Sequence, residues 1–158
     1  MSVDEPVHLV GYDSLWPALF CEEAKRLTEA LPGAAIEHIG STAVPGMVAK
    51  PIVDIMVGAP EAAREVIARL GYEDLGEAGV AGRIYLRRRG SGQDYNIALM
   101  EREGRLWKAN LAFRDYLRSD QKAAQEYAAM KKEAIARGAR MLLAYSELKS
   151  DRRVDAIG

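Results

Sequence analysis

Cysteine is almost absent from this chain of 158 residues: Cys21 is the only one. A lone thiol cannot close an internal disulfide, and a chain built without disulfides fits a reducing compartment. An excess of either charge is missing too, with 22 Lys and Arg against 23 Asp and Glu. No global field therefore draws the molecule toward nucleic acid or an anionic membrane. No apolar run approaches the roughly 18 residues of a membrane span. The first residues, with Asp4 and Glu5, lack the basic-then-apolar pattern of a secretory leader. Repeats and low-complexity tracts are also lacking. These absences imply a cytoplasmic protein without nucleic-acid or membrane partners, its oligomeric state open. The length implies one domain over residues 1–158, large enough for a real core.

What is present reads as α+β. Val7 to Val10 suits a short edge strand. Asp13 or Ser14 can cap a first helix with Pro17 in its opening turn. Leu15, Leu19, Phe20, Glu23, Ala24, Leu27 and Leu31 make its stripe, and Pro32-Gly33 ends it. On that helix Cys21 reads as a small core residue. Strands are expected over 34–39 and 51–57, then a helix from Pro60 to Leu70 closed by Gly71. Residues 72–75, 83–89 and 94–100 read as further strands, the last two joined by Gly90-Ser91-Gly92. The run Arg87-Arg88-Arg89 reads as a solvated hairpin without the aromatic interleaving of nucleic-acid binders. After Gly104 the pattern turns helical: 106–118, a second helix capped by Asp120 and ended by Gly138, and a last one over 141–149. Tyr127, Met130 and Ile135 are expected in the core, and 151–158 is expected to fray.

Residues 37–58 carry the chemical anomaly. A small-residue loop, Gly40-Ser41-Thr42, leads into Pro51-Ile52-Val53-Asp54-Ile55-Met56-Val57, where Asp54 is the one charge in an apolar strand. Burying a carboxylate is costly unless it is hydrogen-bonded, ion-paired or bound to a cation. Lys50, four residues earlier, is a candidate ion-pair partner that would account for Asp54 without metal.

The run Glu37-His38-Ile39-Gly40-Ser41-Thr42-Ala43-Val44-Pro45-Gly46, then Ala49-Lys50-Pro51-Ile52-Val53-Asp54-Ile55, resembles the GrpB family. So do Tyr12, Trp16 and Phe20, the segment Leu111 to Arg118, and Ala124, Tyr127 and Lys131. The resemblance spans nearly the whole chain. It implies a nucleotidyltransferase-like fold related to DNA polymerase beta, with a mixed sheet, flanking helices and a helical C-terminal third.

The resemblance also implies a site. Gly40 and Ser41, with Thr42, would cradle nucleotide phosphates on backbone amides at a helix start. Asp54 would hold a magnesium ion, and Lys50, Arg83, Lys108 and Arg114 would neutralise phosphate. The wider fold places a second carboxylate two residues after the first, where Met56 stands; methionine does not ligate magnesium. A His-x-His pattern frequent in GrpB proteins falls on Asn96 and Ala98, so this chain is a divergent member. Asp94 is expected to supply a replacement oxygen with Asn96 supporting, and His38 to act as general base or ligand, while Glu37 alternates to the other face. Three functions follow: a small-molecule nucleotidyltransferase using a nucleoside triphosphate and Mg²⁺; a nucleotide or coenzyme A-binding module that has lost catalysis; or a metal-independent acyl or amide group-transfer enzyme in the same cleft.

Overall fold

The computed structural model describes residues 3–146. Five strands, β1 (Ala35–Ile39), β2 (Ile52–Gly58), β3 (Glu73–Asp74), β4 (Ile84–Arg88) and β5 (Asp94–Met100), form one sheet in the order β1-β2-β5-β4-β3. The central pair β2–β5 is parallel and its neighbours are antiparallel. That pair explains the apolar character of β2: a parallel strand with elements on both faces has little solvent side. The architecture is α+β, as expected.

Side chains alternate across the sheet. Val53, Ile55 and Val57 of β2 and Tyr95, Ile97 and Leu99 of β5 point to one face. There they meet Trp16 and Leu27 of α1 (Trp16–Ala30) and Ile67 of α2 (Ala63–Arg69). Met56 and Met100 point the other way, against Trp107 of α3 (Arg105–Ser119). The helix α4 (Gln121–Ala136) packs Tyr127 and Met130 on Leu117, Val44 and Met47. Asp120 caps α4 by accepting from the Ala123 amide at 3.0 Å. Residues 142–146 are helical; the remainder of the expected last helix and the tail 151–158 lie outside the described residues. Among the described residues no helix is long and apolar enough to cross a membrane.

Several local expectations change. Residues 7–10 form no strand; Pro6 and Val10 make isolated bridges to Met141 and Ala49. The N-cap of α1 is Leu15, and Asp13 instead accepts the Leu15 amide at 2.8 Å. Leu15 and Cys21 are exposed, Cys21 because it faces away from the stripe that meets the sheet. Within that stripe Glu23 is buried and polar-paired, taking Tyr72 Oη at 2.5 Å and Arg88 Nη1 at 2.9 Å. The Arg87-Arg88-Arg89 run is likewise not a solvated hairpin. Arg87 and Arg89 pair with Glu5 at 3.5 and 2.8 Å, and Arg88 pairs with Glu23. Alternation on β4 sends these guanidinium groups to both faces, where a carboxylate meets each.

Ile55 has no exposed surface. Ile55→Ala is expected to lower the urea unfolding free energy by about 2–5 kcal/mol. Asp120→Ala, which removes only a cap, is expected to cost about 1 kcal/mol in the same titration.

Candidate functional site

Strand register sets the site. Ile39 of β1, Asp54 of β2, Asn96 of β5 and Arg87 of β4 lie side by side, so they share one face of the sheet. Asn96 Nδ2 donates to Asp54 Oδ1 at 2.8 Å. Its Oδ1 accepts from Arg89 Nη2 at 2.8 Å and from Tyr85 Oη at 3.1 Å. Guanidinium nitrogens only donate, so the amide has one workable orientation, with its N–H₂ toward the carboxylate. Arg89 in turn holds Glu5 through two nitrogens, at 2.8 and 3.1 Å. A polar chain thus runs Glu5–Arg89–Asn96–Asp54.

On the other side Asp54 presses against Gly40. A Cβ at Gly40 would stand 2.6 Å from Asp54 Oδ2 and 3.1 Å from its Cβ and Cγ. Gly40 also has φ 75° and ψ −175°, which side chains other than glycine's rarely tolerate. After it the chain makes a single 3₁₀ turn, Ser41–Ala43, at the expected helix start. Its amides at Ala43 and Val44 close the turn on the Gly40 and Ser41 carbonyls at 3.1 Å.

His38 faces away from this row. Ile39 opposes Asp54 and His38 opposes Ile55, so alternation carries His38 to the α1 side and Glu37 to the Asp54 side, the reverse of the expected assignment. His38 is buried, stacks on Phe20 with centroids 4.8 Å apart, and its Nε2 bonds Thr42 Oγ1 at 2.9 Å. Burial pushes its pKa down to about 4, although the Asp54 carboxylate pulls the other way; Arg118 and Arg114 add to the depression. A neutral imidazole that anchors Thr42 is what this arrangement provides. Glu37 pairs with Arg114 Nη1 at 3.1 Å, and the same nitrogen donates to the His38 carbonyl at 3.1 Å. Arg118, named above only within the segment that carries the resemblance, donates to the Ala43 carbonyl at 2.8 Å.

A cleft of about 400 Å³ opens over this face. Of the expected site residues, Gly40, Ser41, Thr42, Lys50, Asp54, Arg83, Asn96 and Arg114 line it; His38, Asp94 and Lys108 do not. Asp94 accepts the Gly90 amide at 3.1 Å at the hairpin end, and Lys108 is exposed on α3. Lys50 lies 6.0 Å from the Tyr145 ring centroid, and its charge helps Arg89 and Arg87 hold the Glu5 carboxyl low against the raising effect of burial. Arg83 lies over the Tyr85 ring and donates to the carbonyls of Glu77 and Ala78.

The cleft also holds Lys131, quoted above only for the resemblance. It is 1% exposed and donates to Ser41 Oγ at 2.6 Å and to the Val48 carbonyl. Its helical spacing after Tyr127 places it on the inward face of α4, the signal that could have marked it. A second, apolar groove of about 1020 Å³ lies where β2 and β5 end, lined by Pro32, Ala59, Pro60 and Leu99, and contains none of the expected residues.

The residues present do not fit a two-metal centre. Such a centre needs several oxygen ligands converging on each ion. Met56 is fully buried beside Trp107, and Asn96 offers Asp54 a nitrogen donor rather than an oxygen. No group of three or more His, Cys, Asp or Glu that could hold a metal occurs among the described residues.

The family profile described as GrpB protein matches residues 6–156. The UPF0157 protein YqkA of Bacillus subtilis is 36% identical over 137 residues, covering 82% of this chain and 40% of that protein. The UPF0157 protein BH1888 of Halalkalibacterium halodurans is 33% identical over 91% of this chain and 77% of its own length. A crystal structure of GrpB from Enterococcus faecalis superposes with a TM-score of 0.79 at 30% identity, covering 94% of this chain and 96% of that one. A cytoplasmic RNA terminal U-transferase matches with a TM-score of 0.50 at 16% identity, over 78% of this chain and 42% of that chain, a likeness of fold alone.

Two measurements check this geometry. Gly40→Ala is expected to cost about 1–3 kcal/mol in strain. Adding Asp54→Ala should recover the part due to the carboxylate collision, so the double variant costs less than the sum of the two singles. Neutral burial of His38 predicts a pH effect of definite sign. The unfolded chain takes up a proton near the ordinary value of 6.5 and the folded chain near 4. Its contribution to stability is constant above pH 6.5 and falls as pH drops from 6.5 toward 4. The slope approaches about 1.4 kcal/mol per pH unit within that window, and His38→Gln should flatten it in urea titrations at stepped pH.

Proposed function

The chain belongs to the GrpB family, and we propose that its cleft binds a phosphate-bearing small molecule of the nucleotide or coenzyme A class as a free anion. The observation that carries this reading is the charge of the lining. Lys50, Arg83 and Arg114, the last already paired with Glu37 and Asp115, reach the same cleft of about 400 Å³ as the one carboxylate of its lining, Asp54. The volume lies in the range of small-ligand sites, which place a few polar groups in a mostly apolar wall. Tyr85, Tyr127 and Tyr145 supply wall surface here. The turn at Gly40, Ser41 and Thr42 gives close backbone approach beside those cations.

Asp54 decides between this reading and metal-dependent nucleotidyl transfer. With its Oδ1 taken by Asn96 and its Oδ2 against Gly40, the carboxylate repels an incoming phosphate unless a cation bridges the two. The test is titration calorimetry of ADP, ATP, UTP and coenzyme A, with Mg²⁺ and with EDTA, on wild type and Asp54→Asn. Micromolar binding that persists in EDTA and tightens about three- to tenfold in Asp54→Asn is expected, since one like charge is removed near a partly screened site. Binding that requires Mg²⁺ and disappears in Asp54→Asn, with pyrophosphate released by wild type, would establish nucleotidyl transfer instead. No affinity for any of these ligands would refute the proposal.

A further inference from the structure

The cleft contains a side-chain pair that phosphate binding does not use: Ser41 and Lys131. We propose that these two form a nucleophile and base for acyl transfer, acting on an ester or thioester whose leaving group carries a phosphate. The phosphate part rests on the reading above; the pair itself does not.

Three observations meet at Ser41. The first is backbone geometry. Ser41 follows β1 after one residue, Gly40 at φ 75°, and opens a three-residue 3₁₀ turn. A sharp strand-to-helix turn is how nucleophilic serines are presented, because it holds the hydroxyl clear of the sheet and facing the cleft. The second is the base. Lys131 Nζ lies 2.6 Å from Ser41 Oγ, within the reach required of a general base. Lysine serves as base to serine in known variants of the serine triad. Lys131 is 1% exposed, so bulk water does not compete with it for the hydroxyl. The third is orientation. Lys131 is tied to the Val48 carbonyl and lies 5.2 Å from the Tyr127 ring centroid, while Thr42 is tied to His38 at 2.9 Å. The amide of the residue after the nucleophile, here Thr42, is a usual donor to a developing oxyanion.

The chemistry balances without a co-reactant other than water. Ser41 Oγ attacks the acyl carbon and its proton passes to Lys131 Nζ. The bond from the acyl carbon to the leaving sulfur or oxygen breaks, and Lys131 returns the proton to that thiolate or alkoxide. Water then attacks the acyl-serine, giving its proton to Lys131, and the acid departs as Ser41 recovers its hydrogen. An amine in place of water gives an amide.

The test is covalent labelling of the intact protein by a fluorophosphonate probe, read by mass spectrometry of the peptide holding residue 41. Labelling of wild type on Ser41 is expected. Lys131→Arg retains the positive charge and a donor to Ser41 but is no base, so its labelling rate should fall at least about 100-fold, with a melting temperature near wild type. The pH profile of wild type provides the same information should that variant fail to fold: the rate should climb with pH and level off as the amine becomes neutral. An unlabelled wild type, a pH-independent rate, or a folded Lys131→Arg that labels as fast as wild type would overturn the pair. Protection of Ser41 by saturating ADP or coenzyme A is the result expected for a phosphate-bearing substrate. Labelling that neither ligand slows would overturn that substrate class, and calorimetry of the same ligands on Ser41→Ala separates this outcome from loss of phosphate binding.

Discussion

The close approach of Asp54 to Gly40 is the contact on which the site depends. It exists because β1 pairs with β2 so that Ile39 stands opposite Asp54, and the chain leaves β1 immediately afterwards. Only glycine leaves room there, and only glycine adopts that φ without strain. The carboxylate, in turn, is tolerable inside an apolar strand because the neighbouring strand delivers an amide nitrogen to it at 2.8 Å. Change the register of either pairing by one residue and Asp54 would enter the helix-side core.

From that carboxylate the polar chain through Asn96 and Arg89 ends on Glu5. It ties the segment before α1 to the heart of the sheet. The same segment is held by Arg87 to the Val3 carbonyl at 2.8 Å and by the Leu142 amide to the Glu5 carbonyl at 2.7 Å. Partly buried ion pairs such as these rarely add much net stability, since each charge loses part of its hydration. What they do is penalise every arrangement in which one partner is missing. Here that fixes the Asn96 amide, and with it the environment of Asp54. Where a metal centre would need converging oxygen ligands, this chain has built a neutral donor backed by a guanidinium.

The other wall of the cleft comes from distant parts of the chain. Lys131 on α4 reaches the turn after β1, and Arg114 and Arg118 on α3 hold the carbonyls of His38 and Ala43. Three cationic side chains therefore brace one short turn. Such bracing keeps Ser41 and Thr42 in a single arrangement, a requirement shared by ligand binding and by nucleophilic chemistry.

The fold was legible in the residues, and so was the grouping of Gly40, Ser41, Thr42 and Asp54 along one cleft. The apolar run of β2, the hairpin glycines and the Asp120 cap follow from local rules, and the run from Glu37 to Asp54 resembles its family strongly enough to locate the turn. Pairings between distant segments were not legible. Glu37 and His38 exchange faces because alternation gives only relative orientation, and the β1–β2 register supplies the reference. Arg87, Arg88 and Arg89 look solvated in a sequence because their partners, Glu5 and Glu23, are more than 60 positions away. Lys131 looks like one more helix charge until α4 is laid against the turn, 90 residues back in the chain. By itself the sequence determined the elements, the glycine that the turn requires and the carboxylate it must shelter. Tertiary structure alone decided what shelters that carboxylate and which cations surround it, because charge pairing depends on distance in space, which chain order does not encode.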